Sequence, residues 1–168
     1  MTRRLILMRH AKSSWDDPRL DDIDRSLNAR GQSNAKTMGA WLKAQGYFPD
    51  QALVSVATRT QQTFERVAQG LGMQPELRVI DRLYLASELR ILQELKKATG
   101  QTVLLIAHNP GIGEFAARFA KNPPAHGDFL RYPTCATTVF ELGAENWSEV
   151  RYGANPVLDF AIPREIDI

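Results

Sequence analysis

Cysteine is almost absent from the chain. Cys135 stands alone, so no disulfide can close within the chain, and a reducing, cytoplasmic setting is the expectation. Three histidines beside that one cysteine are too few for a structural zinc site. There is no Lys/Arg run and no basic stripe interleaved with aromatics. The formal net charge is only +2, and the pI of about 8.8 rests on a small excess of bases; both facts argue against a nucleic-acid surface. The apolar run near the N-terminus, Leu5–Met8, is too short for a signal-peptide core or a membrane span, so no membrane partner is expected. Repeats, linkers and low-complexity tracts are also missing. What is present is 168 residues of ordinary globular composition, 43% hydrophobic and 24% charged, which predicts one domain able to bury most of its apolar surface in a core.

Hydrophobic patterning predicts strands and helices in alternation. Arg4–Met8 reads as a short strand. Asn28 caps a helix over 29–45 that places Ala35, Met38 and Leu42 on one face and stops at Gly46. Ala52–Val56 is a second strand, followed by a helix over 59–69 with Phe64, Val67, Ala68 and Leu71 at helical spacing. Glu76–Ile80 is a third, less apolar strand. Ser87 opens a helix in which Leu89, Leu92 and Leu95 recur, closed by Gly100. Thr102–Ala107 is nearly all apolar, as a parallel strand buried on both faces would be. Asn109-Pro110 then starts a helix, asparagine at the cap and proline in the first turn, that turns Ile112, Phe115, Ala116 and Phe119 inward. Past Asn122 the pattern changes: prolines bracket an irregular stretch, Cys135–Leu142 alternates like a strand, and Trp147–Tyr152 suits a pairing strand across a turn at 143–146. The sum is an α/β fold, a three-layer α/β/α sandwich with a mostly parallel mixed sheet and an antiparallel edge.

Two strands of this pattern run straight into histidine: Leu5-Ile6-Leu7-Met8-Arg9-His10, and Val103-Leu104-Leu105-Ile106-Ala107-His108. Open α/β sheets bind ligands beyond the carboxyl ends of their strands, so both rings can enter one cleft. Arg59, at the start of the helix after the second strand, lies near the same edge. An imidazole with one free nitrogen can attack phosphorus in line, provided its other nitrogen is held by a hydrogen bond that fixes the tautomer. Guanidinium forks match phosphate oxygens. The helix after His108 is expected to offer free N–H groups and the positive end of its dipole to an anion. Arg-His, Arg and His from three strand ends predict one phosphate-gripping site.

On these residues the chain resembles the histidine phosphatase superfamily, which contains phosphoglycerate mutases and acid phosphatases. Leu7-Met8-Arg9-His10-Ala11 is similar to the family's R-H-G signature, with alanine for glycine. Ser26-Leu27-Asn28-Ala29-Arg30-Gly31 resembles its P-L-T-x-x-G helix start, and Ser55 through Arg59 to Gln62-Thr63 its S-x-x-x-R-x-x-Q-T segment. Ala107-His108-Asn109-Pro110 resembles its S-H-N-P. The short length, Arg9-His10-Ala11-Lys12-Ser13 and the late Tyr132-Pro133-Thr134-Cys135-Ala136 stretch look most like the SixA-type phosphohistidine phosphatases. The resemblance implies that His10 is the phosphorylated nucleophile, that Arg9, Arg59 and His108 bind the phosphoryl oxygens, and that Lys12 and Ser13 add contacts from the loop. It implies no metal and no other cofactor, because cationic side chains supply the charge stabilisation.

One departure bears on the substrate. Mutase-type relatives carry a glutamate general acid in an R-L-x-E context, whereas here Arg82-Leu83-Tyr84 is followed by Leu85. An alkoxide leaving group needs a proton donor, while a phosphoramidate can leave as neutral imidazole, so the missing acid favours phosphohistidine. Asp81 and Glu88 flank the gap as stand-ins that keep phosphomonoesters open. The acidic stretch Asp16, Asp17, Asp21, Asp22 and Asp24 reads as a solvated loop, with one of its aspartates as a lesser alternative for the proton donor; its spacing does not fit an EF-hand. His126 reads as an exposed loop residue, Arg131 and Thr134 as either pocket wall or plain surface, and Trp15, Trp41 and Trp147 as core or pocket packing. The expectation is a phosphatase using a phosphohistidine intermediate on phosphohistidine-bearing protein. A phosphatase for small sugar or nucleotide phosphates and a non-catalytic phosphohistidine-binding module are the alternatives.

Overall fold

The computed structural model describes residues 2–166. Six strands form one sheet in the order β3-β2-β4-β1-β5-β6: β1 (Arg4–Arg9), β2 (Gln51–Ser55), β3 (Glu76–Ile80), β4 (Thr102–Ala107), β5 (Thr137–Glu141) and β6 (Val157–Ala161). β1 to β4 pair in parallel, and β5 and β6 add antiparallel strands at one side. The α/β class with a mixed sheet is as the patterning predicts.

Side chains alternate across each strand, so the sheet splits the core in two. Leu5, Leu7, Val103 and Leu105 face a cluster built with α3 (Glu88–Leu95) and α4 (Gly111–Phe119), which adds Ile91, Leu95, Phe115 and Phe119. Ile6, Met8, Leu104 and Ile106 face the other cluster, with Met38 and Leu42 of α1 (Ala29–Gln45) and Phe64 and Val67 of α2 (Thr58–Leu71). β1 and β4, covered on both faces, are the central strands, and for that reason their sequences are continuous apolar runs. Asn28 accepts from Gly31 N at 2.8 Å and Ser87 from Arg90 N at 3.2 Å, so both predicted caps form. Gly46 ends α1 with φ 79°, a left-handed conformation that costs glycine little.

Four local expectations fail. Trp147–Tyr152 is not a strand. Trp147–Glu149 forms a 3-10 turn, Trp147 is buried with its indole N–H donating to Gly100 O at 2.6 Å, and Val157–Ala161 takes the place beside β5. α3 ends at Leu95, well before Gly100, and Leu89 faces solvent while Ile91, Leu92 and Leu95 are buried. α4 begins at Gly111, with Asn109 bonding Gly113 N from outside the helix. His126 is half-buried, 2.8 Å from Glu165 and edge-on to Phe160. No helix among the described residues is long and apolar enough to cross a membrane.

Candidate active site

Register brings the two histidines together. Arg9 lies beside Ala107 in the parallel β1–β4 pair, and His10 N still donates to Ala107 O at 3.1 Å. His10 and His108 therefore leave adjacent strands at one level, with ring centroids 5.4 Å apart. Arg59, in the first turn of α2, reaches the same point: its Nη2 donates to His108 Nδ1 at 3.3 Å. Arg9 donates through Nη1 to Tyr132 O at 3.2 Å, while its Nε is buried without a hydrogen-bond partner. Burial, and after it repulsion from Arg59, lowers the pKa of Arg9; an anion between the two guanidiniums relieves that repulsion.

These four side chains open on a cleft of about 350 Å³ that Lys12, Ser13, Trp15, Asp22, Leu85, Asn109 and Thr134 also line. Arg9, His10, Lys12, Ser13, Arg59 and His108 thus line one cleft. Asp81, Glu88 and Arg131 are not among its lining residues. Glu88 is engaged by Arg118 at 2.7 Å, and Arg131 pairs with Asp128 at 3.6 Å.

The sequence segments have identifiable mechanical roles. Ser55, fully buried at the end of β2, bonds His108 Nε2 at 2.7 Å. Four residues on, Arg59 enters the cleft. Gln62 accepts from Leu27 N at 2.8 Å and Thr63 from Ala11 N at 3.0 Å, tying α2 to the loop behind His10. Gly31 lies so close to that loop that a Cβ would sit 2.1 Å from Lys12 O, so the chain there must be glycine for α1 to meet the loop at this distance.

His10 Nδ1 lies 2.7 Å from Ala11 O. A carbonyl only accepts, so Nδ1 carries the proton and Nε2 keeps its lone pair. Burial pushes the pKa of His10 down to about 4, with Arg9 and Arg59 adding to the effect, so the ring is neutral near pH 7. His108 is lowered to about 3 by burial and then by His10. Its two nitrogens are engaged by Ser55 and Arg59; because a guanidinium only donates, Nδ1 is the acceptor, and Nε2 carries the proton and donates it to the Ser55 hydroxyl.

Two features escaped the sequence reading. Asp22 comes out of the acidic stretch into the site: its Oδ2 accepts from Arg59 Nη2 at 3.0 Å and from Tyr84 Oη at 2.5 Å, and its main-chain O from Arg59 Nη1 at 2.7 Å. The Tyr84 hydrogen bond and the Arg59 charge hold its carboxyl below the usual range, so it is an anion. The expected free N–H groups at the start of α4 are largely consumed, Ile112 N by His108 O and Gly113 N by the Asn109 side chain. Positive charge here comes from the arginines.

A model of the histidine phosphatase superfamily (branch 1) matches residues 5–84. The chain belongs to the histidine phosphatase superfamily. It is a phosphatase of that superfamily, close to the SixA phosphohistidine phosphatases. The phosphohistidine phosphatase SixA of Escherichia coli K12 is 28% identical over 152 residues, covering 86% of this chain and 91% of that protein. An uncharacterised protein of Mycobacterium tuberculosis is 30% identical over 164 residues, 94% of this chain and 100% of its own. A structure provisionally assigned as SixA from Nakamurella multipartitia superposes with a TM-score of 0.81 at 26% identity, over 97% of both chains. Among histidine phosphatases the mutase-type R-L-x-E position falls here on Leu85, which has φ 49° and is 55% exposed at the cleft.

Proposed function

We propose that this phosphatase works by covalent phosphorylation of His10 Nε2 and that its substrate is phosphohistidine carried on a protein. The phosphoryl group docks among Arg9, Arg59 and His108. The Nε2 lone pair of His10 forms the new P–N bond as the bond to the substrate imidazole breaks. A substrate ring protonated on its far nitrogen departs as neutral imidazole. His10 becomes a phosphoimidazolium whose Nδ1–H remains on Ala11 O. Water then attacks phosphorus, phosphate departs, and His10 returns neutral with the same tautomer. The guanidiniums hold the charge that develops on the phosphoryl oxygens.

The observation that carries the substrate assignment is the state of the carboxylates. Among the described residues Asp22 is the one carboxylate lining the cleft, and it is ionised and already bonded to Arg59 and Tyr84. An alkoxide would find no ready proton there, whereas imidazole needs none. Exposed Trp15 and Leu85 at the cleft, 66% and 55% accessible, suit contact with a protein surface. The relative from Escherichia coli is itself a phosphohistidine phosphatase.

The test compares kcat/KM on phosphoimidazole with that on a sugar phosphate, alongside acid- and base-quenching of enzyme turning over radiolabelled phosphoimidazole. Phosphoimidazole should be preferred by about two orders of magnitude, the scale of general-acid assistance that an ester would lack, and the protein label should be base-stable and acid-labile. Preference for the ester by a similar factor would overturn the substrate assignment. Absence of label during turnover would overturn the covalent route.

A further inference from the structure

Next to the cleft, and sharing Lys12 and Thr134 with it, is a shallow groove of about 170 Å³ whose charged lining residues are Lys12, Arg30 and Arg164. The cations come from three separate parts of the chain and are poorly neutralised by the protein itself. Neither Lys12 nor Arg30 has a carboxylate within ion-pair distance among the described residues. Arg164 pairs with Asp128, but that buried carboxylate also takes Arg131 at 3.6 Å, so one anion serves two guanidiniums. The aspartates of residues 16–24 do not line the groove.

Arg30 is the most telling of the three. It lies in the first turn of a 17-residue helix that has no acidic residue in that turn. A cation at the positive end of a helix dipole is unfavourable, and no carboxylate among the described residues pairs with Arg30 to offset it. Lys12 is fixed beside it, because Asn28 N donates to Lys12 O at 3.0 Å and Gly31 packs against the same carbonyl. The backbone thus brings two basic residues to one groove at the lip of the phosphate site. Such an arrangement is stabilised by an anion from outside.

We infer that this groove binds an acidic side chain that lies beside the phosphohistidine on the substrate protein. The inference rests on the proposed substrate and deepens it. The groove has room for a carboxylate head. Trp15 and Leu85 provide exposed apolar contact at the adjoining cleft for a folded surface, which a small free anion would leave uncovered. Charge pairing at a rim of this kind sets partner choice and encounter rate.

The experiment measures kcat/KM on three substrates: phosphoimidazole, a phosphohistidine peptide with aspartate and glutamate flanking the phosphorylated residue, and the same peptide with serine and glutamine there. Wild type should prefer the acidic peptide by about fivefold at low salt, the scale of one to two exposed ion pairs, and 0.5 M NaCl should erase most of the gap. Arg30→Glu should abolish or reverse the preference while leaving phosphoimidazole turnover unchanged; Arg30→Lys should keep it. Equal rates on the two peptides in wild type, or a preference that survives Arg30→Glu, overturns the inference. A bisphosphorylated sugar favoured over its monophosphate in an Arg30-dependent way also overturns it, since the groove would then take a second phosphate. Loss of phosphoimidazole activity itself would strike the substrate reading and not the groove.

Discussion

His10 and His108 emerge from neighbouring strands one residue past a paired position, yet the structure wires them in opposite ways. His10 spends only Nδ1, on the carbonyl of the next residue, and keeps Nε2 uncommitted. His108 has both nitrogens engaged, Nε2 by the buried Ser55 and Nδ1 by Arg59. Both rings are buried and both are lowered well below the ordinary histidine range, so both are neutral. Neutrality alone therefore does not distinguish a nucleophile from a phosphate-binding group. The second nitrogen does: it is uncommitted in His10, the proposed nucleophile, and held by a tertiary partner in His108.

The sharpest way to break this contrast is to remove each ring in turn. His10→Ala should abolish turnover, by at least about 10³-fold, and abolish the acid-labile label. His108→Ala should slow turnover by about 10²-fold yet still yield labelled protein on rapid quenching. Label retained in His10→Ala, or lost only in His108→Ala, would reverse the two assignments.

Acidity tests both rings at once. Because the pKa of His10 lies near 4 in the folded protein and near 6.5 when unfolded, kcat/KM should stay level from pH 7 to 5 and fall about tenfold per unit only below about pH 4. Stability has a different window. The unfolded chain binds these protons first, so the contribution is fully present above about pH 6.5 and is lost as pH falls from there toward 4 and 3. The melting temperature should drop on going from pH 7.5 to 5, and should drop less in His10→Ala. An acid limb in kcat/KM near pH 6.5 would mean that His10 is an ordinary, hydrated imidazole.

The smallest effect expected is at Ser55, which touches only His108 of the two. Ser55→Ala leaves a buried ring nitrogen without its partner, a cost of about 1–3 kcal/mol. It should lower kcat by about tenfold with little change in the label at His10. An effect as large as that of His10→Ala would show that the two rings are not independently held.

Much of this was legible in the chain. β1 and β4 could be recognised because strands buried on both faces must be apolar throughout, and α1, α2 and α4 because their inward faces repeat at helical spacing. β6 was not legible: Val157–Ala161 includes Asp159 and is only partly buried at the sheet edge, so it lacks the apolar signal, while Trp147 draws attention to a segment that packs as a turn. Asp22 was one of five acidic residues with nothing local to single it out. Its selection depends on Arg59 and Tyr84, which lie 37 and 62 positions away in the chain. Leu89 falls off the buried face because three leucines at a spacing of three drift around a helix, and Ile91 takes the inward place.

The amino-acid sequence by itself determined the α/β alternation, the strand ends that carry Arg9, His10 and His108, and the helix start that carries Arg59. These follow from local periodicity and from side chains adjacent along the backbone. Only the tertiary structure decided that His10 keeps one nitrogen free while His108 has both engaged, which aspartate meets Arg59, and that Lys12, Arg30 and Arg164 share a groove. Hydrogen bonds and charge pairs act over a few ångströms of space, and distance along the chain does not reveal them.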